Sequence, residues 1–453
     1  MRVVPLALRR DPLHVLAALA AEPGAFLVSV PDPARPLVLL GCRPRIVLRI
    51  EADGTAARSD GVRCDTDPLA AIEAFVRESG SPDAAPFPLG GGAVGFLGYE
   101  LGSRAHGVAA PRGTLPLAML AHHDPILAWD VARQQYALVC RDADGARAAW
   151  LERLAAPAPP HGDGPVARGP LAAVVAPEHY RGSVRRILDY LAAGDAYQVN
   201  LTQPFAAPLA APAARLFTEL AARHPVPHAA YLDLGDAQLV ANSPELFLRR
   251  RGTRVETHPI KGTRPRGDTP ARDAALAAEL LRDPKERAEH VMIVDLERND
   301  LGRVAEVGSV RVEKHAKLES HPTVHHLVSR VSARVRPEVG LADLLRATFP
   351  GGSITGAPKR RAMEIIAELE ATPRGPYTGA FGFFAANGDL ELGLAIRTAV
   401  VRDATVRWGA GGGIVAESDP ERELAECWLK TAALRRALGE NVDAPPVSQC
   451  SSG

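Results

Sequence analysis

At 453 residues the chain is long for a single core, since one packing unit takes roughly 150 residues, and 46% hydrophobic residues are enough for a folded globular protein. Lys plus Arg and Asp plus Glu number 53 each, so the formal net charge is zero; with no basic stripe, a nucleic-acid partner is disfavoured and a small molecule expected. Five cysteines without a CxxC pair, no apolar run near ~18 residues, and Arg9, Arg10 and Asp11 breaking any signal-like apolar core argue against a disulfide framework, a membrane span and secretion, and fit a cytoplasmic protein.

In chain order, residues 1–153 read as a β-rich region. Short apolar runs at 26–30, 37–40, 46–50, 126–129 and 136–140 are bounded by turn pairs such as Asp53-Gly54 and Asp144-Gly145, the pattern of antiparallel strands. Residues 154–176, dominated by Ala, Pro and Gly, read as a linker to a second region at 177–440. There Tyr180, Val184, Ile187, Leu188 and Leu191 recur at helical spacing until Gly194-Asp195.

Strands are expected at 231–234, 239–242, 246–250 and 253–258, with Glu245 and Lys261 on neighbouring strands. Asp283, Pro284 and Glu286 predict a capping-box helix start. Pro358 opens another helix, with Ala362, Ile365, Ile366 and Leu369 on one face. Segments 392–401 and 405–408 read as strands around Arg402-Asp403, leading into Gly411-Gly412-Gly413. A last helix is predicted from Ser418-Asp419-Pro420 to about 438, and 441–453 as a disordered tail.

On that last helix Glu423, Glu426 and Lys430 share one face. They read either as a solvated Glu-to-Lys pair worth ~0.3–0.5 kcal/mol or as the wall of a site. The triple glycine allows backbone N–H groups to approach an anion, although it also suits a simple bend. Arg397, flanked by Leu394, Ala395, Ile396, Ala399 and Val400, reads as an arginine on a buried strand, where an unpaired charge is costly and an anionic ligand welcome. Gly352–Lys359 lacks Gly-Lys-Ser/Thr and is no phosphate loop, and the absence of HExxH excludes that zinc site.

Four strings, Asn242-Ser243-Pro244-Glu245, Pro259-Ile260-Lys261-Gly262-Thr263, Val294-Asp295-Leu296-Glu297-Arg298-Asn299-Asp300 and Ala410-Gly411-Gly412-Gly413-Ile414-Val415, closely resemble component I of aminodeoxychorismate synthase, over about residues 170–440. The resemblance implies the α+β fold of chorismate-utilising enzymes, a large, mostly antiparallel β-sandwich with helices packed outside. In the sister family, anthranilate synthase component I, an alanine usually stands at the position of Lys261.

By resemblance the catalytic residues are Lys261 as nucleophile, Glu245 as general acid and base, and His326 near the ring. Gln198, Thr263, Tyr377, Arg397, Gly411, Gly412 and Lys430 would bind substrate, and Glu289 and Glu426, with Glu423 contributing, would hold magnesium. In related isochorismate and salicylate synthases a lysine at the place of Gln198 activates water, which glutamine cannot do at neutral pH. The implied reaction converts chorismate and ammonia to 4-amino-4-deoxychorismate, supplying 4-aminobenzoate for folate or a specialised metabolite. No cysteine occupies a GxCxG setting, so ammonia is expected from a separate glutamine amidotransferase subunit, as in the family. Leu39-Leu40-Gly41-Cys42 lacks the acid and hydroxyl of the tryptophan-binding motif of many anthranilate synthases, and tryptophan feedback is not expected.

Overall fold

The computed structural model describes residues 1–64, 66–78, 87–142, 145, 149–150, 152–154, 164–321 and 324–442; residues 443–453 of the expected tail and 155–163 of the expected linker lie outside these residues. Among them the strands form two antiparallel sheets of 12 and 11 strands. Alternation decides which side chains meet between the sheets. Phe26, Val28, Val30, Leu37, Leu39, Leu232 and Leu239 of the larger sheet meet Val94, Phe96, Phe381 and Phe383 of the smaller, all buried. The opposite face of the larger sheet carries Leu27, Leu40 and Val240, which share a core with Leu16 and Phe217 of outer helices Pro12–Leu19 and Ala213–Arg223. The α+β sandwich with outer helices is therefore observed.

Each sheet takes strands from both sides of residues 154–176. In the larger sheet the early strands, ending with Phe26–Val30, join the later ones at a single seam against His228–Asp233. In the smaller sheet the seam is Gly92–Leu97 against Ala380–Ala385.

Several local readings change. The run 392–401 is not one strand: Leu390–Leu394 belongs to the smaller sheet and Thr398–Arg402 to the larger, and the chain crosses between them at Arg397, whose φ is 49°. The last helix breaks at Thr431 into Pro420–Lys430 and Ala432–Leu438. Asp283 caps helix Pro284–Gly302 by accepting from the Lys285 and Glu286 amides, but the Glu286 carboxylate turns to Arg264 and completes no capping box.

Lys359, at the end of the string Gly352–Lys359, is consumed internally. Its Nζ donates to Asp300 Oδ2 at 2.5 Å, the Pro350 carbonyl at 2.7 Å and the Thr348 carbonyl at 3.1 Å, with both charged partners buried. Removing one member of such a pair strands the other's charge, so Lys359→Met should lower the urea-unfolding free energy by about 3–5 kcal/mol.

Candidate active site

Glu245 and Lys261 are brought together by one interrupted strand. Pro259 has no N–H and separates Arg254–His258 from Ile260–Pro265, yet both segments pair with Val324–Arg334, so they run end to end along it. Leu246 pairs with His258, which sets Glu245 beside Pro259 and Ile260. A register shift at Gly262, with φ of 72°, follows Lys261. Glu245 is 5% exposed, and its carboxylate accepts from Ser353 Oγ at 2.8 Å. Burial pushes this carboxyl up to about 7, against Ser353, the charge of Lys261 and the Ile260 amide, which pull it down.

His326 pairs with Thr263 across the same ladder, and Thr263 Oγ1 lies 3.0 Å from its Nδ1. The Gly262 carbonyl, 3.4 Å from Nδ1, is acceptor-only and favours the proton there. His326 Nε2 is buried without a partner among the described residues. Burial, followed by the charge of Arg397, holds the imidazole down to about 4, so it is neutral at pH 7. Arg397 sits at the corner between the sheets, where its carbonyl accepts from the Asn242 amide. Burial alone acts on its guanidinium, lowering its pKa, and no carboxylate pairs with it among the described residues. A guanidinium drawn partly out of water without a carboxylate partner is an anion receptor.

Strand Thr405–Ile414 supplies backbone donors. Of this strand, Thr398–Arg402 pairs with Thr405–Trp408 alone, leaving one edge of the glycine run open. The opposite edge pairs with Gln198–Pro208. Asn200 and Thr202 send their N–H groups away from this ladder, to Thr355 O and Glu370 Oε1, so Leu201 and Gly412 form the hydrogen-bonded pair. The Gly412 amide is thereby used within the sheet, whereas those of Gly411 and Gly413 face the open edge. Lys430 Nζ already holds the Gly411 carbonyl at 2.6 Å.

Glycine at 412 also leaves room for charge: a Cβ there would stand 3.1 Å from Glu423 Oε2, 3.5 Å from Glu426 Oε1 and 3.7 Å from Lys430 Nζ. At Gly413 a Cβ would lie 2.6 Å from Gln198 Nε2. The Gln198 side chain is fully buried, with neither amide atom partnered among the described residues. Tyr377 packs over Gly409, where an added Cβ would stand 2.1 Å from its ring, and burial raises its phenol above the usual range.

No group of three acidic, histidine or cysteine side chains is drawn to metal-binding range among the described residues. Glu426 pairs with Lys430 at 2.7 Å, Glu289 with Lys285 at 3.8 Å, and Glu423 accepts from Ser418 Oγ at 2.6 Å. Burial raises Glu289 and Glu423; for Glu426 burial is outweighed by Lys430, Lys261 and Lys285, which hold it low. Glu426 thus lies within electrostatic reach of both Glu289 and Glu423, and lysine charges act on all three. Hard oxygen donors of this kind suit magnesium chemically.

A model of the chorismate binding enzyme family matches residues 24–436. The chain belongs to the chorismate-binding enzymes. Among relatives of this chorismate-binding enzyme, anthranilate synthase component 1 of Thermus thermophilus is 42% identical over 391 residues, 84% of each chain. Aminodeoxychorismate synthase component 1 of Klebsiella aerogenes is 41% identical over 358 residues, 78% of each chain. The crystal structure of anthranilate synthase component I from Streptococcus pneumoniae aligns with a TM-score of 0.80 at 32% identity, covering 89% of this chain and 93% of that one.

Three residues of the chorismate-binding enzyme's pocket escaped sequence reasoning. Ser353 bonds Glu245, Lys285 faces Glu289, and Glu297 is a second buried carboxyl behind Glu245. Ser353 and Glu297 lie inside strings already singled out, and only their spatial neighbours distinguish them from structural residues.

Proposed function

We propose that this chorismate-binding enzyme aminates chorismate at ring carbon 4, yielding 4-amino-4-deoxychorismate, as an aminodeoxychorismate synthase component I. The observation that carries this reading is Lys261 on the strand beside Glu245, close enough for its charge to act on that carboxyl. Arg397 and the Gly411 and Gly413 amides bind the substrate's carboxylates, neutral His326 bounds the ring, and Glu245 enters protonated. The Lys261 side chain, having passed its proton to solvent, attacks carbon 2, the ring double bonds shift, and the carbon 4 hydroxyl departs as water with the Glu245 proton. Ammonia then bonds to carbon 4, the electron pairs shift back, the lysine leaves carbon 2, and Glu245 recovers a proton from the new amine.

Glu289, Glu423 and Glu426 would hold magnesium, which when bound supplies positive charge to orient the ring carboxylate. Gln198, lacking a basic group, gives water no activation. Ammonia comes from a separate glutamine amidotransferase subunit in a heterodimer; the described cysteines, 42, 64, 140 and 427, stand in no glutaminase-like setting, which supports this. Among the described residues no helix is long and apolar enough to cross a membrane.

The test is intact-protein mass spectrometry with chorismate and magnesium and without ammonia. A chorismate-derived adduct on the wild type and none on Lys261→Ala is expected. Adducts on both proteins would remove Lys261 from the covalent step. The relatives called anthranilate synthase support the alternative of carbon 2 amination, and product mass and fluorescence separate the two.

A further inference from the structure

Glu297 is an acid that the reaction above leaves unused. It lies on helix Pro284–Gly302, 7% exposed, with Thr257 Oγ1 donating to its Oε2 at 2.9 Å. Thr257 belongs to the strand that pairs with the one starting just after Glu245. On its other side Glu297 lies against Gly352, where an added Cβ would be 3.6 Å from Glu297 Cγ, and the next residue, Ser353, is the donor to Glu245. The two carboxyls are therefore held by adjoining segments and both are buried.

Neither has a cation at ion-pair distance among the described residues. Lys359, from helix Lys359–Leu369, is occupied by Asp300 one turn beyond Glu297, and Lys261 reaches Glu245 only through its field. Burial first, then the Glu245 charge, pushes Glu297 up to about 8, with Asp300 adding to the rise and Lys359 and Thr257 opposing it. Repulsion between two such groups is mutual, so whichever ionises first holds the proton on the other.

We propose that Glu297 is a positioning residue for the proton chemistry of Glu245, the two buried carboxyls acting as one proton-holding pair. This rests on Glu245 being the acid and base of the proposed reaction. When the departing hydroxyl takes the Glu245 proton, Glu297 remains neutral and the pair carries one negative charge; the proton released on amination restores it. Any ionisation of Glu297 between turnovers keeps Glu245 protonated to higher pH than a lone carboxyl there would be.

The experiment is the pH profile of kcat at constant free ammonia, with chorismate and magnesium, for wild type, Glu297→Gln and Glu245→Gln. Glu297→Gln keeps the side chain's size and its acceptor for Thr257, and the alkaline limb should move down by roughly half a unit to one unit with KM for chorismate little changed. Thr257→Val, which removes the hydrogen bond favouring ionised Glu297, should move it the same way by less, and serves if Glu297→Gln does not fold. An unmoved limb in these variants, beside an inactive Glu245→Gln, overturns the pair and leaves Glu245 in its role. An active Glu245→Gln with a wild-type profile overturns both.

Discussion

Lys261→Ala is expected to lose amination at carbon 4 by roughly a thousandfold or more, because the substitution removes the nucleophile from a two-step displacement and leaves nothing to replace it. The fold should not suffer. Lys261 lies in a ladder whose hydrogen bonds come from the backbone, and the register shift that follows belongs to Gly262. Binding groups on the other elements, Arg397 and the open amides of Gly411 and Gly413, stay in place, so chorismate should still be held. Ammonia then has direct access to carbon 2, and whatever turnover remains should yield the carbon 2 amination product. Separating products by mass and fluorescence, with ammonia supplied, reads both effects. Unchanged ammonia-dependent carbon 4 amination would end the covalent route.

Glu245→Gln should reduce kcat by about 10²–10⁴ while leaving KM for chorismate nearly unchanged, the signature of a group that acts mainly in the transition state. The same substitution has an opposite effect on stability. The folded carboxyl lies near 7 against an ordinary 4.5, so between those values the native state binds more protons than the unfolded chain. Its contribution is fully present below about 4.5 and is lost as pH rises through 7, a loss of up to about 3 kcal/mol. Glutamine has no charge to bury. Urea denaturation should therefore find Glu245→Gln more stable than wild type at pH 8, with the advantage gone at pH 4. A variant that is inactive and destabilised at pH 8 would mean that Glu245 holds the fold rather than a proton.

The sandwich was legible because its strands are short apolar runs bounded by turns: those at 26–30, 37–40 and 46–50 are strands close to where they were read. Arg311–Ser320 was not legible. It lies along one side of Val324–Arg334, largely exposed, so its Glu, Lys and His residues show no apolar period. Arg397 was expected to be buried within a continuous strand, since its neighbours from Leu394 to Val400 are apolar except Thr398; it is half-buried, and only the left-handed corner, which its aliphatic neighbours do not announce, separates the sheets. The strings around Glu245, Lys261 and the glycines pointed to one pocket. The used amide of Gly412 and the buried partner of Glu245 depend on ladder phase and on contacts between segments far apart in the chain, which no local pattern encodes.

The two seams have a consequence for how the protein is made. As the chain leaves the ribosome, the early strands emerge with Phe26–Val30 and Gly92–Leu97 unmatched on one side, and their partners follow only about 200 and nearly 300 residues later. During synthesis both edges can recruit strands from another chain. A fragment beginning at 177 has the mirror problem, with His228–Asp233 and Ala380–Ala385 exposing the complementary edges. Co-expressed as separate pieces, the two parts would offer each other edges that complete both sheets at once.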